Sequence, residues 1–175
     1  MKTIQERRKS KDPFVQKSVQ NKFKRLPTLL STFSFGELTF VETPCFPREI
    51  YHGPGTENLA LPQSDKEKNM QYFIIQNSNG QAVGAITLNP AKKIATNLFI
   101  LPDEREQGYG LSVIGAFEDY ARKSNWHELK AHVPAGRQDT LDLLEKRGWV
   151  KSGPYTSKIQ EKQFYIVKKI IGSER

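Results

Sequence analysis

A glycine-rich hexapeptide, Arg105-Glu106-Gln107-Gly108-Tyr109-Gly110, joins a strand-like run over residues 94–100 to a helical pattern that begins at Leu111. A strand that enters a helix through such a bend directs several backbone N–H groups towards one spot, where the helix N-terminus adds a partial positive charge. The two glycines lack a Cβ, so an anion can approach the main chain, and the arginine adds a permanent positive charge. The hexapeptide therefore predicts a binding site for a ligand that carries a pyrophosphate.

The spacing of the loop excludes two common phosphate-binding motifs. A dinucleotide fingerprint needs a third glycine three residues after the second, and a P-loop ends in Gly-Lys-Ser/Thr; the hexapeptide has neither feature. What remains is R-x-x-G-x-G after an x-Pro-Asp-Glu turn, and it resembles the coenzyme A loop of the GNAT family of N-acetyltransferases. Two later segments also resemble that family, namely residues 144–149 (Leu-Glu-Lys-Arg-Gly-Trp) and the closing strand over residues 164–169. The resemblance covers roughly residues 71–170.

The resemblance implies a fold and a set of coenzyme contacts. The fold is a single α+β domain, with a mixed, mostly antiparallel sheet flanked by helices, expected over residues 33–171 after a basic tail or short helix over residues 1–32. Acetyl-CoA is the implied cosubstrate, with its pantetheine arm along the strand before the loop and its pyrophosphate on the loop. Arg137 replaces an asparagine that often opens the next helix in the family. The implied coenzyme-binding residues are Leu98, Phe99, Ile100, Arg105, Glu106, Gln107, Gly108, Tyr109, Gly110 and Arg137.

The positive charge of the chain is concentrated at its N-terminus. Of the formal net charge of +8 over 175 residues, the first 25 residues hold +7, from nine basic and two acidic side chains. This segment is either an arm that attracts nucleic acid, a ribosome or another anionic surface, or a solvated tail or short docked helix. No apolar run is long enough for a membrane span, and the lone Cys45 favours a reducing, cytoplasmic setting.

Local patterns predict a sheet interrupted by two helices. An Asn-Gly pair at 79–80 between two β-rich runs predicts a hairpin, and apolar residues at helical spacing predict the helices. In the first helix Leu111, Ile114, Phe117 and Ala121 are expected to face inward, and Glu118 outward. Residues 44–69 contain prolines and glycines every few positions, so at most one short helical turn is expected there. Predicted strands cover residues 35–41, 71–76, 81–88, 94–100, 127–133, 149–155 and 162–169, and predicted helices cover 110–124 and 136–147.

The groups that would move protons are less well defined by the sequence. In the family a tyrosine often protonates the departing thiolate, but Leu144 occupies that position here, so the usual general acid is missing. His127 and His132 flank a strand beside the implied site, and histidine is a residue type that commonly acts as a base; Tyr155 is another candidate acid. Three histidines and one cysteine show no metal-ligand spacing, so no metal is expected.

Three functional hypotheses remain open at this point. The first is acetyl transfer from acetyl-CoA to a primary amine of a peptide, a protein, a small molecule or an aminoacyl-tRNA. The second is a non-catalytic acyl-CoA-binding sensor or scaffold, which the missing acid favours. The third is a nucleic-acid- or ribosome-associated module that uses the basic N-terminal arm. The sequence indicates neither the acceptor nor the oligomeric state.

Overall fold

The computed structural model describes residues 31–59, 61–62, 64, 66–158 and 161–172. The basic segment over residues 1–25 lies outside the described residues, so its predicted roles stay predictions, as do the predicted domain boundaries. The described strands and helices are, in chain order, β1 (Thr32–Phe35), β2 (Leu38–Thr43), β3 (Gln71–Gln76), β4 (Ala82–Asn89), β5 (Ile94–Ile100), α1 (Tyr109–Lys123), β6 (Glu128–Pro134), α2 (Gln138–Lys146), β7 (Val150–Thr156) and β8 (Gln163–Ile170).

The eight strands found in the described residues form one sheet in the order β1-β2-β3-β4-β5-β6-β8-β7. Neighbouring strands are antiparallel except β5 and β6, which are parallel and are connected through α1. Antiparallel hairpins with a single helical crossover are typical of an α+β fold. The predicted fold class, a single domain with a mostly antiparallel mixed sheet flanked by helices, is therefore confirmed.

The hairpin between β3 and β4 forms for the local reasons that the sequence suggests. Gly80 has a φ of +72°, a backbone conformation that residues with a side chain rarely adopt. The Asn77 side chain accepts hydrogen bonds from the backbone N–H groups of Asn79 and Gln81. An asparagine that bonds its own turn fixes the hairpin and therefore the register of both strands.

Helices and an irregular segment cover opposite faces of the sheet. On the helical face, α1 and α2 pack on the sheet through a cluster that includes Val113, Phe117, Leu141 and Leu144. On the opposite face, which we call the loop face, residues 44–59 pack on the sheet through a second cluster. Its fully or largely buried members are Phe46, Ile50, Tyr51, Leu59, Tyr72, Ile74, Ala82, Ala85, Phe99 and Leu101.

Four local expectations are wrong. The predicted strand over residues 35–41 is broken, because Gly36 adopts a φ of +57° and turns the chain between β1 and β2. Residues 44–59 contain two one-turn 3-10 helices, Arg48–Ile50 and Thr56–Asn58, where at most one turn was expected. On α1, Leu111 is 42% exposed and Glu118 only 2% exposed, the reverse of the prediction. Glu118 is buried because cationic and indole N–H groups from later elements surround it.

Neither helix among the described residues combines the length and the apolar character needed to cross a bilayer.

Candidate active site

The sheet opens between β5 and β6. The two strands pair only at Ile94 with Lys130 and at Ala95 with Ala131, and they separate beyond those residues. The cause lies on the other side of β5, where the register against β4 shifts between Ala85 and Thr87. At this β-bulge Asn97 adopts a φ of +54°, and a bulge bends its strand away from the regular sheet. The opening is therefore built into the backbone of β5.

The opening is lined from both faces of the sheet and forms a cleft of about 420 Å³. Its walls include Val113 and Leu144 from the helices and Leu59, Lys162 and Phe164 from the loop face. A space of this size, mostly apolar with a few polar groups, is typical of a small-molecule site. The remaining lining residues are Ile86, Ala95, Thr96, Asn97, Leu98, Ile114, Phe117, Ala131, His132, Val133, Pro134, Arg137, Thr140, Trp149, Thr156, Ser157, Lys158 and Gln163.

A buried tyrosine holds the bulge of β5 in place. The Tyr51 hydroxyl donates a hydrogen bond of 2.6 Å to the Asn97 carbonyl. The Tyr51 ring is stacked on Phe46 at 4.7 Å and packs against Phe99 at 5.5 Å. Burial raises the pKa of the Tyr51 phenol, so the hydroxyl stays protonated and donates. This contact links the loop face to the backbone beside the cleft.

The edge of β5 that faces the cleft carries peptide groups that do not pair with β4. The Leu101 N–H donates to the Val83 carbonyl, so this peptide group points towards β4. Because peptide groups alternate in direction along a strand, those of Leu98 and Ile100 point towards the open side. The Leu98 side chain lines the cleft, whereas Phe99 is fully buried on the loop face. Of the three predicted pantetheine contacts, Leu98 and Ile100 therefore place their backbone groups at the opening.

The glycine loop ends at the start of α1. Gly108 has a φ of +80° and is the residue before the helix, which begins at Tyr109 without a side-chain cap. A Cβ built on Gly108 or on Gly110 would meet no atom within 4 Å, so there is open space above the first turn. The first N–H groups of a helix have no partner inside the helix. The loop thus combines open space, unpaired donors and the positive end of the helix dipole.

The Arg105 side chain fastens this loop to both neighbouring segments. Its Nε donates to the Ile100 carbonyl at 3.0 Å, its Nη2 donates to the Pro54 carbonyl at 2.6 Å, and the guanidinium lies 5.1 Å from the centre of the Phe99 ring. Burial and the nearby positive charge of Arg137 lower the pKa of Arg105. Arg105 therefore adds positive charge near the loop while its donors hold the backbone.

The other predicted coenzyme residues lie around the same loop. Glu106 has a φ of +63°, and the Gln107 side chain donates to Glu104 at 3.4 Å. Tyr109 packs against the hydrophobic cluster of the helical face. Arg137 precedes α2 and lines the cleft, and its guanidinium donates to Asp139 at 3.3 Å and to Thr140 at 3.2 Å.

The structure separates the residues that the sequence suggested for proton transfer. His132 lines the cleft, where burial and the positive charge of Lys92 lower its pKa. His127 lies outside the cleft, near the end of α1, and Tyr155 is 45% exposed and does not line the cleft either. Leu144 is buried in the cleft wall, 3% exposed. Among the described lining residues none is an aspartate or a glutamate.

Sequence patterns missed two groups that the structure makes prominent. Tyr51 lies in the segment broken by proline and glycine, where no periodic pattern marks a buried residue. Glu118 accepts hydrogen bonds from Arg147 and from the Trp149 indole, and Lys169 lies 3.1 Å away. Nothing near Glu118 in the sequence indicates these partners. In the part of the chain that the structure describes, no group of three His, Cys, Asp or Glu side chains could hold a metal ion.

Comparison with known proteins identifies the family. A family model described as the acetyltransferase (GNAT) family matches residues 37–149. The chain belongs to the GNAT family. The matched range begins before β2 and ends just after α2, so it includes the bulged strand, the glycine loop and both helices that line the cleft. A search of curated proteins finds no match.

Solved structures of GNAT acetyltransferases share the fold at low sequence identity. A spermidine N-acetyltransferase from Vibrio cholerae, in complex with CoA and spermine, is 17% identical, with a TM-score of 0.51 over 59% of this chain and 67% of that one. A point mutant of a spermidine N-acetyltransferase from the same organism is 18% identical, with a TM-score of 0.50 over 59% of this chain and 66% of that one. At these identities the likeness describes the GNAT fold.

Proposed function

We propose that this GNAT protein is an N-acetyltransferase that moves an acetyl group from acetyl-CoA to a primary amine. The observation that carries the proposal is the cleft between β5 and β6, which residues from both faces of the sheet line and which α1 borders through Val113, one turn after the glycine loop. A cleft that passes through the sheet allows a coenzyme and an acceptor to meet from opposite sides. The spermidine N-acetyltransferase with CoA and spermine, which shares the fold, supports the same class of reaction.

Each part of the cleft has a role in this proposal. The loop from Arg105 to Gly110 binds the pyrophosphate through helix N–H groups. The backbone groups of Leu98 and the N–H of Ile100, whose carbonyl already accepts from Arg105, bind the pantetheine arm. Arg137, which precedes α2 and lines the cleft, can donate a hydrogen bond to a coenzyme phosphate. When bound, acetyl-CoA supplies a thioester whose carbonyl is the electrophile. A backbone N–H at the bulge of β5 can donate to that carbonyl oxygen and so stabilise developing negative charge.

The proton balance of the transfer involves His132 and solvent. The amine nitrogen forms a bond to the carbonyl carbon, the carbon–sulfur bond breaks, and the ammonium proton must leave before attack. His132 is the titratable imidazole in the described lining, and its lowered pKa keeps it neutral and able to accept that proton, directly or through water. Leu144 cannot donate a proton, so the thiolate takes one from water. We therefore propose that the tyrosine acid of the family is absent.

A second candidate, a non-catalytic acyl-CoA-binding protein, is favoured by one observation. Leu144 and the carboxylate-free lining leave the cleft with less acid–base chemistry than acetyl transfer often uses. Both candidates need the same coenzyme site, and only turnover separates them. In either case we propose a cytoplasmic location, which rests on the lone cysteine. The nucleic-acid hypothesis rests on residues 1–25, which the structure does not describe.

The test of the proposed function is acetyl-CoA consumption, measured as release of free thiol in the presence of amines, peptides and aminoacyl-tRNA. Acceptor-dependent thiol release is the expected result. Calorimetric binding of acetyl-CoA without release on any acceptor would favour the second candidate. The variant Leu144→Tyr is a further probe, because it restores a phenol at the position of the family acid, and faster release is expected if that acid limits the rate.

A further inference from the structure

The loop-face end of the cleft differs in charge from the rest of the lining. We call this end the loop-face mouth and define it by Leu59, His132, Ser157, Lys158, Lys162 and Phe164. His132 on β6 lies diagonally across from Phe164 on β8, whose register partner is Pro134, and the two ring centres are 5.0 Å apart. The other members come from the turn between β7 and β8 and from the segment that covers the loop face. On this side of the sheet an acceptor reaches the cleft without crossing the helices.

Lys162 closes one side of the mouth. Its Nζ donates a hydrogen bond of 2.8 Å to the Leu59 carbonyl, which ties the β7–β8 turn to the segment over the loop face. A backbone carbonyl carries no net charge, so this bond leaves the positive charge of Lys162 uncompensated. Lys158 lies in the same turn and is exposed. The mouth therefore has two ammonium groups in its rim.

No carboxylate balances these two lysines within the described lining. Arg137 also lines the cleft, but it donates to Asp139 and so is already paired. Glu161 is in the same turn as the lysines, is exposed and is not among the described lining residues. An acceptor in the mouth thus meets a positive local field from the two lysines, to which His132 adds no charge because its lowered pKa keeps it neutral.

Such a field discriminates between amines according to their second charged group. A second ammonium group about 4 Å from a lysine is disfavoured by about fivefold even with the screening of water, and a carboxylate is favoured by a similar factor. The field also lowers the pKa of the acceptor's own ammonium group, so that more of the amine is neutral and nucleophilic without a carboxylate base. The first effect favours an acceptor that carries its own negative charge, and the second helps to deprotonate the amine in a cleft whose described lining has no carboxylate.

We propose that the acceptor is a small primary amine that also carries a negatively charged group, which lies between Lys158 and Lys162 while the amine enters the cleft beside His132. The inference rests on the proposed acetyl transfer. It differs from the substrates named for the similar V. cholerae structures, which are polyamines. Exclusion of such multiply charged cations follows from the same two lysines.

The test compares three amines of similar length that differ at the far end. γ-Aminobutyrate carries a carboxylate, butylamine a methyl group and putrescine a second ammonium. We expect kcat/KM, measured by thiol release, to be at least about tenfold higher for γ-aminobutyrate than for putrescine, with butylamine between them. Equal values, or a preference for putrescine, overturn the inference and leave acetyl transfer intact.

Two further outcomes separate this inference from the proposed function. If the protein binds acetyl-CoA but acetylates none of the three amines, the inference is also overturned, because the inference states that the acceptor is a small amine. Failure to bind acetyl-CoA at all counts against the proposed function itself. Calorimetry with acetyl-CoA alone therefore accompanies the kinetic comparison.

A charge-reversal variant tests the assignment to the mouth. Lys158→Glu is preferred to a change at Lys162, since Lys162 also bonds the Leu59 carbonyl. It should reduce the ratio of γ-aminobutyrate to putrescine kcat/KM by about tenfold or reverse the preference. The matched control is Lys68→Glu, an exposed lysine that does not line the cleft, and it should leave the ratio unchanged. An unchanged ratio in Lys158→Glu contradicts the inference.

Discussion

At the scale of single residues, the hydroxyl of Tyr51 matters more than its position in an irregular segment suggests. It is the group that satisfies the Asn97 carbonyl at the bulge, and the bulge opens the cleft. A part-buried carbonyl that loses its donor keeps part of its desolvation cost, and it can also turn and disturb the neighbouring peptide. The orientation of the N–H groups beside the cleft therefore depends on a side chain from another part of the fold.

The variant Tyr51→Phe removes this hydrogen bond and keeps the stacked ring. We expect the free energy of unfolding to fall by about 1–2 kcal/mol and kcat to fall while the KM for acetyl-CoA changes little. Chemical denaturation and steady-state kinetics measure the two effects. Tyr155→Phe is the control, because the Tyr155 ring is largely exposed and lies outside the cleft lining. A wild-type kcat in Tyr51→Phe would show that the bulge does not need this bond.

His132 gives the account a pH dependence with a defined sign. Burial and Lys92 lower its pKa, so kcat/KM should rise with pH along a limb whose midpoint lies below the ordinary histidine value of about 6.5. His132→Asn should remove this limb and lower kcat by about a hundredfold. His127→Asn, at a histidine outside the cleft, should leave the profile unchanged. A limb that persists in His132→Asn assigns the base to another group.

The same shift predicts the effect of His132 on stability. Because the folded-state pKa is below the unfolded value, the unfolded chain binds more protons near pH 6.5 and below. The free energy of unfolding should therefore decrease as the pH falls below the ordinary histidine pKa of about 6.5, and His132 should have no such effect at higher pH. His132→Asn should make unfolding less dependent on pH in that window, which denaturation at several pH values measures.

At the scale of secondary-structure elements, the contact between β4 and β5 depends on a glycine. A Cβ on Gly84 would collide with the Phe99 carbonyl and would lie 3.0 Å from the Ile100 side chain. The backbones come this close where β5 is bulged, and both atoms belong to a strand that lines the cleft. The sheet cannot move apart here without disturbing the open edge of β5.

The variant Gly84→Ala should therefore lower the free energy of unfolding by about 2 kcal/mol, as overpacking in a core does. Thermal or denaturant unfolding measures it. Gly110→Ala is the matched control for unfolding, because a Cβ there meets no atom within 4 Å and alanine suits a helix. If Gly84→Ala is as stable as wild type, the prediction is wrong, and β4 and β5 can move apart to accommodate a Cβ at little cost.

Local sequence patterns predicted the elements that are stabilised by residues close together in the sequence. The β3–β4 hairpin follows from the Asn-Gly pair at 79–80 between two β-rich runs, and α1 follows from its apolar spacing and the glycine loop before it. The segment that packs on the loop face was not predictable, because its burial depends on strands far along the chain. Tyr51 and its partner Asn97 are 46 positions apart. The glycine loop was thus found from sequence, whereas the support of the bulge was not.

At the scale of the whole molecule, one buried carboxylate joins the helices to the end of the sheet. Glu118 on α1 accepts two hydrogen bonds from Arg147, one from Trp149, and lies 3.1 Å from the Lys169 ammonium on β8. Burial alone would raise its pKa, but the hydrogen bonds from these three residues hold it below the usual value. A helical pattern with Glu118 on its polar side cannot show that these partners converge on it.

The variant Glu118→Gln leaves three cations, Arg122, Arg147 and Lys169, without their counter-charge and should lower the free energy of unfolding by about 3 kcal/mol. Because the folded-state pKa of Glu118 is depressed, its contribution is present above the ordinary glutamate value and is lost as the pH falls through the folded-state pKa. Denaturation of both proteins at neutral and acidic pH measures this. In the control Glu128→Gln two part-exposed ion pairs, with Lys130 and Lys168, are lost, and stability should hardly change. A similar loss in both variants contradicts the special role of Glu118.

The measurement that tests the central claim most directly is calorimetric binding of acetyl-CoA to wild type, Gly108→Asp and Gly80→Asp. Both glycines have similar positive φ values, +80° and +72°, so the two variants carry the same backbone strain and the same added charge. The account predicts that wild type and Gly80→Asp bind equally, and that Gly108→Asp binds at least about tenfold more weakly because a carboxylate stands where the pyrophosphate binds. Unchanged affinity in Gly108→Asp, or no binding by wild type, would contradict the assignment of this cleft to acetyl-CoA.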